Sequence, residues 1–97
     1  MYQTGRGVIQ DYTEASKWYL KAAEQNLLFS QTNLGKMYSV GQGVTKDYVK
    51  AYMWTALAAA QGEEDAEHNL EILEELMIPD QIAEALDLTE EWWEKHN

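Results

Sequence analysis

Gly41-Gln42-Gly43-Val44, followed by Asp47-Tyr48, Lys50-Ala51, Trp54 and Ala58-Ala59, decides the fold, because much of this pattern already stands 36 residues earlier. Tyr2 falls on Tyr38, Gly5 on Gly41, Gly7 on Gly43 and Val8 on Val44. Asp11 falls on Asp47, Tyr12 on Tyr48, Ala15 on Ala51 and Trp18 on Trp54. Ala22, Ala23 and Gln25 fall on Ala58, Ala59 and Gln61, and further on Asn33 and Leu34 fall on Asn69 and Leu70. One gap-free register that holds through glycines and tryptophans marks an internal repeat, and a period of this length belongs to stacked supersecondary units.

Each period reads as two helices. In Asp11–Gln25, Ala15, Trp18, Ala22 and Ala23 recur at helical spacing and define one apolar face. Asp11 is placed to cap the start, with Glu14 three residues on as in a capping box. Asn26 is suited to end the helix in the left-handed conformation, and Gly62 holds the matching place. The next helix is predicted at about Leu28–Val40, with Leu27, Ser30, Leu34, Met37 and Tyr38 along one side. Gly41 and Gly43 permit positive φ in the turn that follows, and Val44 anchors it. Asp47–Gln61 and Glu63–Met77 then repeat the two helices.

Small residues carry the packing expectation. Gly35 inside a helix costs about 1 kcal/mol against alanine, so it predicts a close approach by a neighbouring helix. The Ala22-Ala23 and Ala58-Ala59 pairs suit the same purpose on the partner helices, and Trp18 and Trp54 are expected to fill the wider side of each junction. A last helix opens at Pro79, which fits the first turn, with Asp80 at the positive end of the dipole. Ile82, Ala85, Leu86, Trp92 and Trp93 supply its apolar side, while Ile78 offers no side-chain cap.

The motif Asn33-Leu34-Gly35 with Met37-Tyr38, then Gly41, Gly43-Val44, Asp47-Tyr48, Lys50-Ala51, Trp54 and Ala58-Ala59, resembles the Sel-one-like repeat (SLR) family, a relative of the tetratricopeptide repeat. The resemblance covers about residues 2–75. It implies an all-α, right-handed solenoid of helix pairs, an α-α superhelix that serves as an adaptor for other proteins. Residues 1–97 then form a single solenoid domain of about five helices. Within it, 1–10 is the remnant of a preceding repeat, 11–46 and 47–77 are helix pairs, and 78–97 is a C-terminal capping helix. A first repeat cut short in this way leaves part of the Trp18 face open. That predicts either a piece of a longer repeat protein or a homodimer formed through the open face.

Composition narrows the chemistry. The 97 residues contain no Cys, which excludes disulfides, a thiolate nucleophile and Cys-based zinc sites. Some cysteine-rich members of the resembled family are linked to β-lactam binding or hydrolysis. Their disulfide pairs are absent here, so that activity is kept only as an alternative, beside a purely structural segment. No stretch has the roughly 18 apolar residues that a membrane span needs. Met1–Gln10 shows no basic stretch leading into an apolar one, and the compartment stays open. Net charge is −10, and residues 63–97 hold thirteen acidic residues against Lys95 alone, a local net of −12. Such a chain repels phosphate backbones, which argues against nucleic acid. It also suits a solvated face or a basic partner.

Catalytic patterns are weak. His68 has Glu64 and Glu71 on its helix but no second histidine nearby, short of a metal site's ligand set. The pairs Glu63/Glu64, Glu74/Glu75 and Glu90/Glu91 lie among other acids on wet faces, unlike two carboxyls in contrasting environments. Gly41-Gln42-Gly43 lacks the lysine of a phosphate loop. No cofactor and no catalytic residue is assigned. The expected functional surface is the outer face of the helices at Leu28–Val40 and Glu63–Met77. Phe29, Asn33 and Lys36 lie about 100–160° from the Leu34/Tyr38 side, and Asp65, Asn69 and Ile72 are their counterparts one repeat on. In tetratricopeptide-like solenoids this face lines the concave groove. These six residues are therefore the expected contacts for a peptide or protein partner, with the asparagine amides either bracketing its backbone or holding helix register.

Overall fold

The computed structural model describes residues 12–96. The readings made at Tyr2, Gly5, Gly7, Val8 and Asp11, and the segment 1–10, lie outside the described residues. Five helices follow in order: α1 (Tyr12–Glu24), α2 (Leu28–Val40), α3 (Tyr48–Ala60), α4 (Glu64–Leu76) and α5 (Pro79–His96). Together they form an all-α helical-repeat solenoid.

The repeat is visible in the turns. Asn26 adopts φ 67° and Gly62 φ 94°, both left-handed. The Leu27 N–H donates to Ala22 O at 3.2 Å, and 36 residues on the Glu63 N–H donates to Ala58 O at 3.2 Å. This six-to-one bond closes the orphan carbonyls at each helix end in the same way. Gly41, at φ 74°, ends α2 with its N–H on Met37 O at 2.8 Å. Asp47 caps α3 by accepting from the Lys50 N–H at 3.1 Å. The start of α5 is repaired without a Ser or Thr: the Gln81 side chain accepts from the Ile78 N–H at 3.1 Å, one half of a capping box.

α3 is the centre of the stack, packed by α2, α4 and α5. One buried cluster joins Ala23, Leu34, Trp54, Leu57 and Trp92; a second joins Ala51, Tyr52, Leu73, Met77 and Ala85, and Tyr38 packs against both. Gly35 sits where α2 crosses α3: a Cβ there would collide with the Thr55 hydroxyl and stand 3.2 Å from Ala51 O, so the expected close approach is present. α5 rests mainly on α3 rather than on α4, which it follows in the chain, with the Trp92 ring edge-on to Trp54 at 5.9 Å. Where α1, α2 and α3 meet, the fully buried Gln31 donates to Ala23 O and to Asn26 Oδ1, each at 3.1 Å. Gln61 donates to the same Asn26 oxygen at 2.8 Å, so these amides satisfy one another and tie the three helix ends together.

One packing expectation fails. Trp54 is 4% exposed, as expected, whereas Trp18 is 65% exposed. The cover that α5 lays over Trp54 has no counterpart over α1 among the described residues, and the neighbour of the Trp18 ring is its own-helix Lys21, with Nζ 5.6 Å from the ring centre. Leu27 is also exposed rather than on the core side of α2.

Candidate partner-binding groove

α2 and α4 stand on the same side of α3 and barely touch, which leaves a groove of about 390 Å³ between them. Gly35, Lys36, Ser39 and Val40 form one wall, and Asn69, Ile72, Leu73 and Leu76 form the other. Tyr48 and Thr55 of α3 form the floor. Both walls come from the middle and C-terminal parts of their helices. Lys36 corresponds to Ile72 and Val40 to Leu76 under the 36-residue shift, so the groove sets matching repeat positions against each other.

Of the six residues expected from the sequence, Lys36, Asn69 and Ile72 line this groove. Phe29 is seven residues before Lys36, and Asp65 seven before Ile72; two helical turns place them on the same faces, exposed beyond one end of the groove. Asn33 departs from the group. It lines a separate cavity of about 220 Å³ between α1 and α2, with Tyr12, Ala15, Tyr19, Met37 and Gln42. Its repeat position matches Asn69, so this is the same groove one unit earlier, with no opposite helix wall among the described residues.

The two asparagines differ chemically as well. Asn33 Nδ2 donates to Phe29 O of its own helix at 2.8 Å. Asn69 Nδ2 is buried and meets no acceptor from the protein. Neither amide nitrogen bonds a neighbouring helix, so the packing-register role weighed from the sequence finds no support in hydrogen bonding. A buried N–H without a partner costs about 1–3 kcal/mol, and this nitrogen is closed off from solvent.

Exposed apolar side chains surround that donor. Val40, Ile72 and Leu76 are all exposed, Ile72 at 46%. Sequence reasoning missed Val40 and Leu76, although both hold one repeat position and both are apolar; each reads locally as the last residue of a helix. Charge is divided across the groove. Lys36 is the one charged side chain of α2, whereas α4 carries Glu64, Asp65, Glu67, Glu71, Glu74 and Glu75 and no Lys or Arg. Glu74 accepts from the Tyr52 hydroxyl at 2.8 Å. Burial first, then the bond to Glu74 and its charge, push the Tyr52 hydroxyl from 10.0 up to about 12. Among the described residues no three His, Asp or Glu side chains converge as metal ligands would, and no helix is long and apolar enough to cross a membrane.

Comparison with known proteins agrees with this architecture. The family model of the Sel1 repeat matches residues 1–27 and 28–63, the second match covering the α2/α3 pair. The crystal structure of c5321, a protective antigen of uropathogenic Escherichia coli strains that displays an SLR fold, superposes with a TM-score of 0.87 at 35% identity. The alignment covers 95% of this chain and 20% of that one, so the chain spans one fifth of the length of that relative. No curated protein matches the chain. Repeats of this kind generally act as non-enzymatic scaffolds for protein–protein interaction. With two tandem matches over most of its length and the turn geometry recurring at the repeat period, the chain belongs to the Sel1 repeat family.

Proposed function

We propose that this chain is a protein-interaction scaffold whose α2/α4 groove holds a peptide or an exposed segment of a partner protein. The observation that carries the reading is the line of exposed Val40, Ile72 and Leu76 along the groove. Apolar side chains of the partner bury against these three residues. Phe29, Lys36 and Asp65 extend the contact along the same faces, and Asn33 extends it into the neighbouring unit. Selection of a random peptide library on the folded chain tests this. Peptides that bind the native chain are expected to lose binding to Ile72→Glu. Selected peptides that bind both chains equally would count against the groove.

A second reading rests on the 65% exposure of Trp18. Two copies of the chain pair through that face of α1, burying both rings. Light scattering over a concentration series decides it: a mass that doubles with concentration and stays single in Trp18→Ala supports pairing, and a constant monomer removes it.

A further inference from the structure

Resting on the groove reading above, we infer that Lys36 sets the specificity of the groove: the partner segment presents an Asp or Glu to it, beside the apolar side chains that meet Val40, Ile72 and Leu76.

The charge inside the groove carries this. Lys36 is the charged residue of the lining. It is exposed, and among the described residues no carboxylate stands within ion-pair distance of it, although the chain has 17 acidic residues against 7 basic ones. Its counter-charge therefore comes from outside this fold. A second cation stands close by: Lys46 does not line the groove, but its Nζ is 4.8 Å from the ring centre of Tyr48, which does. Under the 36-residue shift Lys36 matches Ile72 and Val40 matches Leu76, so three corners of the groove are aliphatic and the fourth is an ammonium.

The acidic residues of α4 do not cancel that ammonium. Glu64, Glu67, Glu71, Glu74 and Glu75 lie about 110–170° around the helix from the middle of its groove lining. Glu74 is turned to α3, where it accepts from the Tyr52 hydroxyl. Asp65 alone shares the lining face, two turns before Ile72 and beyond the end of the groove. The net charge of −10 opposes an acidic segment at long range. Salt screens that field beyond about 8 Å, whereas an ion pair formed in the groove acts at contact distance.

Spacing defines the segment further. Val40 stands one turn after Lys36 on α2, a rise of about 6 Å. Residues i and i+4 of a helix, or i and i+2 of a strand, are about 6–7 Å apart. A partner of either conformation thus offers its acid to Lys36 and the next side chain on the same face to Val40.

Random peptide libraries selected in parallel on the folded chain and on Lys36→Glu test the inference. Peptides from the native chain are expected to combine Asp or Glu with Leu, Ile or Phe, and those from Lys36→Glu to carry Lys or Arg in place of the acid. In fluorescence anisotropy a peptide selected on the native chain is expected to bind Lys36→Ala about fivefold more weakly, the scale of one exposed ion pair. The same peptide with lysine in place of its acid is expected to prefer Lys36→Glu over the native chain. Lys36 and Ile72 are both exposed, and matching circular dichroism and melting points show that Lys36→Ala, Lys36→Glu and Ile72→Ser keep the fold. If the selected peptides lose binding to Ile72→Ser but bind Lys36→Ala as tightly as the native chain, the groove stands and the role of Lys36 falls. Native-selected peptides rich in Lys or Arg overturn it as well. A dimer in light scattering that Lys36→Glu dissociates would put a second copy in the groove and also overturn it. If no peptide is recovered, or those recovered bind Ile72→Ser unchanged, the groove reading itself fails.

Discussion

α1 and α3 occupy the same place in successive repeats and carry the same tryptophan, yet Trp54 is 4% exposed and Trp18 is 65% exposed. The difference lies outside both helices. α5 brings Trp92 edge-on to Trp54 at 5.9 Å, and Trp92 is in turn stacked on His96 at 4.0 Å. In a stack where each unit contacts only its neighbours, a repeat residue joins the core only when the adjacent unit supplies the other half. The same logic separates the two grooves: α2 and α4 enclose the one holding Asn69, whereas the one holding Asn33 has α2 alone as a wall among the described residues.

The comparison is sharpened most by removing each ring. Trp54→Ala is expected to lower stability by about 3–5 kcal/mol, because it empties a site that α5 seals. Trp18→Ala is expected to stay within about 0.5 kcal/mol, as exposed substitutions do. Urea unfolding followed by circular dichroism measures both, and equal losses would break the comparison.

Next in size is a pH effect at Tyr52, whose counterpart on α1 is Ser16. The Tyr52 hydroxyl is raised to about 12 in the fold, so the unfolded chain ionises first. Its contribution is intact below pH 10 and is lost as pH rises toward 12, by up to about 3 kcal/mol. Tyr52→Phe is expected to flatten the fall in stability over that window; an unchanged slope would mean that the Tyr52 hydroxyl is not held out of water in solution.

Smaller still is Gly35→Ala, expected to destabilise by about 1–2 kcal/mol because the new methyl meets Thr55, although alanine alone favours a helix by about 1 kcal/mol. Glu71, at the same repeat position on α4, is exposed, and Glu71→Ala should shift stability by less than about 0.5 kcal/mol. Below Gly35→Ala comes Gln81→Ala, which removes the cap on the Ile78 N–H and should cost about 0.5–1 kcal/mol, read from the same urea curves.

Much of this fold was legible in the sequence because the repeat supplies its own control. The bounds of α2, the left-handed Asn26 and Gly62, and the close approach at Gly35 all followed from matching positions and local backbone chemistry. What stayed hidden depends on neighbours that a motif does not encode. Trp18 carries the same signature as Trp54, and only the placement of α5 separates them. Gln31 drew no reading from the sequence, and it is fully buried, with Asn26 Oδ1 and Ala23 O converging on its amide. Half of the expected contact set met in one groove; Asn33 went to another because the walls come from different helix pairs, and Val40 and Leu76 entered because they end their helices at the groove's rim.

The most direct test of the groove is a heteronuclear NMR titration with a peptide recovered by library selection. The expected result is a cluster of shifts at Lys36, Val40, Ile72 and Leu76, together with the Asn69 side-chain amide, while the Trp18 and Trp92 indoles stay still. Shifts confined to Trp18 and its neighbours on α1, with the Asn69 amide unmoved, would contradict it.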